Sequence, residues 1–121
     1  MTQPTIELRV PGKLWTVNSE RRMHWAKRAT LTKDMRMAGW AMALAYQVPR
    51  YETAHLVVTP HQSKRGPIAD SHAFYPAVKA MVDGLVDAKV VPNDTQEFVK
   101  LDVRPNVRDG WEGLEVEIHG G

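Results

Sequence analysis

The chain contains no cysteine. Disulfides, cysteine zinc sites and thiol catalysis are excluded, and a reducing compartment fits. Long apolar runs are also missing. The longest, Trp40 to Tyr46, falls far short of the roughly 20 residues that span a bilayer. No basic segment followed by an apolar one stands near Met1, so no secretory signal is expected. No repeat, low-complexity tract or Gly/Ser linker divides the sequence, which predicts one domain over residues 1–121. Neither a G-x-x-x-x-G-K-[ST] loop nor G-x-G-x-x-G occurs, and H-E-x-x-H and G-x-S-x-G are absent too. The histidines, at positions 24, 55, 61, 72 and 119, lack zinc spacing.

What is present is ordinary for a globular protein: 43% hydrophobic and 25% charged residues. The formal net charge is only +2, with a pI near 9.0. Its distribution is more informative. Arg9, Lys13, Arg21, Arg22, Lys27, Arg28, Lys33 and Arg36 crowd the first third, and acids dominate from Asp83 onward. That asymmetry suits either a solvated helix face or a basic surface turned toward an anion such as nucleic acid.

Periodicity gives the elements. "TIELRV" alternates as a half-buried strand does. After the "PGKLWTVN" turn, Ser19 is a good N-cap and Glu20 suits a first turn, so a long helix is predicted from Glu20 to Gln47, with an interruption near Thr30–Thr32. Leu31, Met35, Ala38, Met42 and Ala45 recur at helical spacing as its buried stripe, and Pro49 ends it. "AHLVVTP" reads as a well-buried strand and "HQSKRGPIADSHAFY" as a loop. Pro76 opens a second helix to about Ala88, with Val78, Met81, Val82 and Leu85 as its core face. "FVKLDV" and "LEVEIH" are alternating strands joined by the loop "RPNVRDGWEG". The order β-α-β-loop-α-β-β predicts an α+β (mixed α/β) domain with helices packed on one small sheet.

Asp70, Lys79 and Asp94 have the residue types of a metal-dependent phosphodiesterase. Carboxylates hold a magnesium ion that activates water and meets charge on phosphorus, and a nearby lysine offsets the charge that develops. Each has a plainer role open to it. Lys79 and Asp83, at i,i+4, suit a surface pair; Asp94 in "PNDT" suits a turn; Asp70 suits a self-bonded loop. His72 is polar-flanked and expected at the surface. Trp15, Trp25, Trp40 and Trp111 could stack on bases, although Trp40, within an apolar helix, is expected in the core.

The segment "PAVKAMVDGLVDAKVVPNDTQEFV" resembles the RusA family of Holliday junction resolvases, small phage- and prophage-borne endonucleases. That family reads D-x-D-N, then K-A-x-x-D-A-L entering a helix, then D-D before a strand. "VPGKLWTVNSERRMHWAKRATLTKDMR" resembles the family's opening, so the likeness covers most of the chain. Lys79 matches the motif lysine, Asp94 the second acid of D-D with Asn93 replacing the first, and Asp70 the first acid of D-x-D-N. His72 stands where the second acid would be and Ala73 where the Asn would be. Counted back rigidly from Lys79, the two acid positions hold Ala73 and Tyr75.

The resemblance implies a RusA-like homodimer in a bacterial cytoplasm that cuts four-way DNA junctions. It implies Asp70, Lys79 and Asp94 as catalytic residues, and Mg²⁺ or Mn²⁺ on Asp70 and Asp94 with Asp83 or His72 helping. DNA contacts would come from Arg21, Arg22, Lys27, Arg28, Lys33, Arg36, Lys64 and Arg65. For the dimer contact, the "LVVTP" strand and the loop near Trp111 offer apolar surface. Two rivals remain: a junction-binding protein that has lost catalysis, suggested by the altered D-x-D-N, and a protein-binding module on the same fold.

Overall fold

A computed structural model describes residues 5–63 and 72–120. Its elements are β1 (Ile6–Pro11), α1 (Val17–Glu20), α2 (Trp25–Ala45), β2 (Ala54–Gln62), α3 (Tyr75–Asp87), β3 (Val99–Val103), β4 (Val107–Arg108) and β5 (Gly113–Gly120). The sheet runs β1-β5-β2-β3, with β4 beside the far end of β2. β5 lies antiparallel between β1 and β2, whereas β3 and β4 run parallel to β2. This is the expected α+β class with helices on a mixed sheet.

Alternation decides which face is covered. Leu8 and Val10 of β1 pair with Val116 and Leu114 of β5, and Leu56 of β2 pairs with Ile118. These side chains join Ala77, Val78, Met81 and Leu85 of α3 in one core. The opposite sheet face carries Glu7, Arg9, His55, Glu115, Glu117 and His119. β2 is the exception, since Val57, Thr59 and His61 are buried there as well. A central strand covered on both faces reads as a nearly continuous apolar run, which "AHLVVTP" is. Its position also removes "LVVTP" as a dimer contact, because the strand is paired on both edges and buried.

The predicted long helix divides elsewhere than expected. Thr16, not Ser19, caps α1: Thr16 Oγ1 accepts from the Ser19 N–H at 3.0 Å, and Ser19 Oγ accepts from the Thr16 N–H at 3.1 Å. This reciprocal box satisfies two donors and leaves the first helix one turn long. His24, with φ −60° and ψ 140°, restarts the helix, its Nδ1 accepting from the Ala26 N–H. The segment around Thr30–Thr32 continues unbroken, with Thr30 Oγ1 donating to the Ala26 carbonyl. α2 stops before Pro49: the Val48 N–H reaches the Ala43 carbonyl across Gln47, which takes a left-handed φ of 52°.

The buried residues of α2 are Met35, Gly39 and Ala43, with Leu31, Ala38 and Met42 half-buried. Ala45, expected in this stripe, is exposed. Trp40, expected in the core, is 43% exposed. Both differences follow from the contact with α3. A Cβ on Gly84 would lie 2.1 Å from the Arg36 carbonyl oxygen, and one on Gly39 would lie 2.7 Å from the Met81 carbonyl oxygen. The helices meet backbone to backbone through two glycines, so bulky α2 residues beside the contact turn outward. Met37, Leu44 and Tyr46 are exposed with Trp40. At the rim, Arg36 donates twice to Asp87, at 2.6 and 2.9 Å, tying α2 to α3. The side chains are about half and a third exposed, so the pair contributes on the order of 1 kcal/mol or less. No described helix is long and apolar enough to cross a membrane.

Candidate functional site

α3 and the loop after it assemble the acid–lysine cluster. Lys89, with a left-handed φ of 68°, turns the chain back at the end of α3. Val90 and Val91 are buried, and the Val90 carbonyl accepts from the Tyr51 N–H, which pins the returning segment to the core. Asp94 then lies over α3. Asn93 Oδ1 accepts from the Asp94 N–H at 2.7 Å, so the residue replacing the first motif acid shapes the turn that presents the second.

Lys79 stands one turn inside α3 and donates both to Asp83, at 3.0 Å, and to Asp94. Three of the residues singled out in the sequence are thus brought together. Lys79 and Asp83 form the i,i+4 surface pair, and that same pair belongs to a larger group. The Lys79 hydrogen bond, ahead of the opposing effect of burial, holds the Asp94 carboxyl below its usual range. The same bond raises Lys79. The sign of the linkage follows. Asp94 contributes stability above its unfolded value of about 3.9, and that contribution is lost as pH falls through its lower folded value. Partial exposure limits it to about 1 kcal/mol or less. The stability gap between wild type and Asp94→Asn, measured by urea unfolding, should therefore narrow between pH 6 and pH 3. A gap that stays constant over this range would show that the ion pair contributes nothing.

Two carboxylates converging on one ammonium group are hard oxygen donors of the kind that suits Mg²⁺ or Mn²⁺. Among the described residues, no group of three His, Asp or Glu side chains is placed to hold a metal. Asp70, Lys64 and Arg65 lie outside the described residues. His72 is exposed in the turn preceding α3, as expected from its polar flanks. The adjoining Ala73 carbonyl accepts from the Val17 N–H at 2.9 Å, so α1 is fastened to the approach to α3.

The basic residues Arg21, Arg22, Lys27, Arg28 and Lys33 are all exposed and make no ion pair among the described residues. Arg36 differs, being held by Asp87. Two open grooves follow this surface. One, of about 500 Å³, is lined by Asn18, Arg22, His24 and Lys27. The other, of about 690 Å³, is lined by Glu20, Trp25, Arg28, Thr32, Lys33 and Arg36.

Sequence reasoning missed a second cluster. His61 is almost fully enclosed at the end of β2, its Nδ1 2.9 Å from Asp109 and its Nε2 3.2 Å from Glu115. Trp111 meets the ring edge-on at 5.2 Å and in turn carries the Arg9 guanidinium over its face. Burial would raise the Asp109 carboxyl, but the His61 bond and the Trp111 N–H outweigh it and hold it low. The cluster fastens the 104–112 loop to the sheet. His61→Ala should cost about 1–3 kcal/mol in urea unfolding, because it removes the buried ring that bridges Asp109 and Glu115. An unchanged midpoint would remove the clamp. Spacing could not reveal this group, whose members lie 48 and 54 residues apart.

No known protein-family model matches the chain, and no curated protein is significantly similar to it.

Proposed function

We propose that this protein is a divalent-metal-dependent, structure-selective endodeoxyribonuclease of the RusA type that hydrolyses phosphodiesters in four-way DNA junctions. The observation that supports it is the meeting of Lys79 and Asp83 of α3 with Asp94 of the loop after it, beside a helix surface whose cations make no ion pair among the described residues. When bound, Mg²⁺ or Mn²⁺ would supply Lewis acidity and a water of lowered pKa. Asp70 and Asp94 would hold it, with Asp83 or His72 helping. Lys79 would offset the charge developing at phosphorus. Arg21, Arg22, Lys27, Arg28 and Lys33 would position the DNA through its phosphates, and Lys64 and Arg65 would add to these contacts. A two-fold homodimer would present two identical sites to the two symmetry-related strands.

The test is incubation of labelled four-way junction and linear duplex with Mg²⁺ or Mn²⁺. Symmetric nicking of the junction, abolished by EDTA, is the expected result. A second reading, junction binding without catalysis, is favoured by one feature: the ammonium of Lys79 already satisfies both carboxylates. Tight junction binding with no product under any divalent ion would select it. Equal affinity for branched and linear DNA would remove both.

A further inference from the structure

Trp25 is the most exposed large apolar residue among the described ones, at 67%. Leaving an indole in water forgoes a large burial gain, so its surroundings matter. It opens α2 directly after His24, whose Nδ1 is fixed as an acceptor by the Ala26 N–H. The His24 and Trp25 rings lie 5.6 Å apart at an interplanar angle of 32°. The two basic grooves flank this pair, with Arg22 and Lys27 on the His24 side and Arg28 and Lys33 on the Trp25 side. One acid, Glu20, shares the second groove with three cations; its Oε2 is turned to Trp15 Nε1, from which it accepts at 2.7 Å. Trp40, also exposed, has no such setting: its neighbours on the helix are Met37, Leu44 and an Arg36 held by Asp87.

We infer that Trp25 is a stacking platform for an unpaired nucleobase, with the flanking phosphates lying in the two grooves against Arg22, Lys27, Arg28 and Lys33. An aromatic face stacks on any base, and cations on both sides track the strand carrying it, which is how sequence-independent single-strand binders hold DNA. A base within a duplex offers no free face, whereas branch points, flaps and single strands do. The platform would therefore give this surface a preference for DNA with unstacked bases. This inference rests on the nucleic-acid reading proposed above and names what part of the DNA the α1–α2 surface engages.

The experiment compares wild type, Trp25→Ala and Trp25→Phe by fluorescence anisotropy. The probes are a blunt DNA duplex and the same duplex carrying a short single-stranded flap, at one fixed moderate salt concentration. Trp25→Ala should weaken flap binding by about 5- to 100-fold and blunt-duplex binding by less than about 3-fold, whereas Trp25→Phe keeps most of the affinity. Flap addition should also quench the share of tryptophan emission that Trp25→Phe loses, Trp15, Trp40 and Trp111 remaining in both. Wild type that binds both probes, with a flap preference unchanged in Trp25→Ala, overturns the platform and leaves the proposed function standing. Wild type that binds neither probe also overturns the platform, while the four-way-junction assay decides the proposed function separately.

Discussion

Gly84→Ala will destabilise the protein by about 3 kcal/mol or more, enough to lower its midpoint of thermal unfolding by roughly 10 °C. Intrinsic propensity argues the other way, since alanine in a helix interior is favoured over glycine by about 1 kcal/mol. Packing decides the outcome. The added methyl would lie 2.1 Å from the Arg36 carbonyl oxygen and 2.9 Å from the Trp40 nitrogen. Both are backbone atoms of α2, so no side chain can rotate away, and relief requires the helices to separate. Separation would pull Met81 and Leu85 from the core and break the Arg36–Asp87 pair. Thermal unfolding followed by far-UV circular dichroism reads the effect directly. A midpoint equal to or above that of wild type would overturn the backbone contact between α2 and α3 at Gly84.

The second large effect is catalytic. On the proposed nuclease reading, Lys79→Ala and Asp94→Asn should each reduce junction cleavage by about 10²–10³-fold or more, with junction binding changed by only a few-fold. The two variants fail differently. Asp94→Asn removes a carboxylate ligand and should shift the metal dependence to higher Mg²⁺ concentration. Lys79→Ala removes the charge that offsets phosphorus and should lower the rate even at saturating metal. Asp83→Asn, one turn along α3, should fall between wild type and Asp94→Asn, because its carboxylate shares the same ammonium partner. Single-turnover cleavage over a metal titration separates these outcomes. Normal rates in both Lys79→Ala and Asp94→Asn would refute the assignment of the site.

Much of the architecture could be read from local pattern. β1 and β5 alternate because one face of each meets the helices. β2 reads as a continuous apolar run because both its faces are covered. β4, two residues long inside a loop bounded by Pro105 and Gly110, is too short to carry a period. The break before α2 is hard to read from sequence because a histidine N-cap is a weaker signal than the serine and threonines nearby. Trp40 was placed inward by its apolar neighbours. What turns it outward is the close approach of Gly84, a residue of another helix. The acid–lysine order brought Lys79, Asp83 and Asp94 into view because they span a single helix and the turn after it. The Arg36–Asp87 tie, across 51 residues, depended on how the helices cross.

The placement of β5 has a consequence for how the molecule is made. β5 fills the gap between β1 and β2, pairing Leu8 with Val116 on one side and Leu56 with Ile118 on the other. Until Gly113–Gly120 has left the ribosome, the first two strands have no partner in common, and their unpaired backbone edges lie open to neighbouring chains. Completion of the sheet therefore waits on this segment and is governed by contacts between distant parts of the sequence. Conditions that slow the emergence of this segment will favour aggregation over maturation.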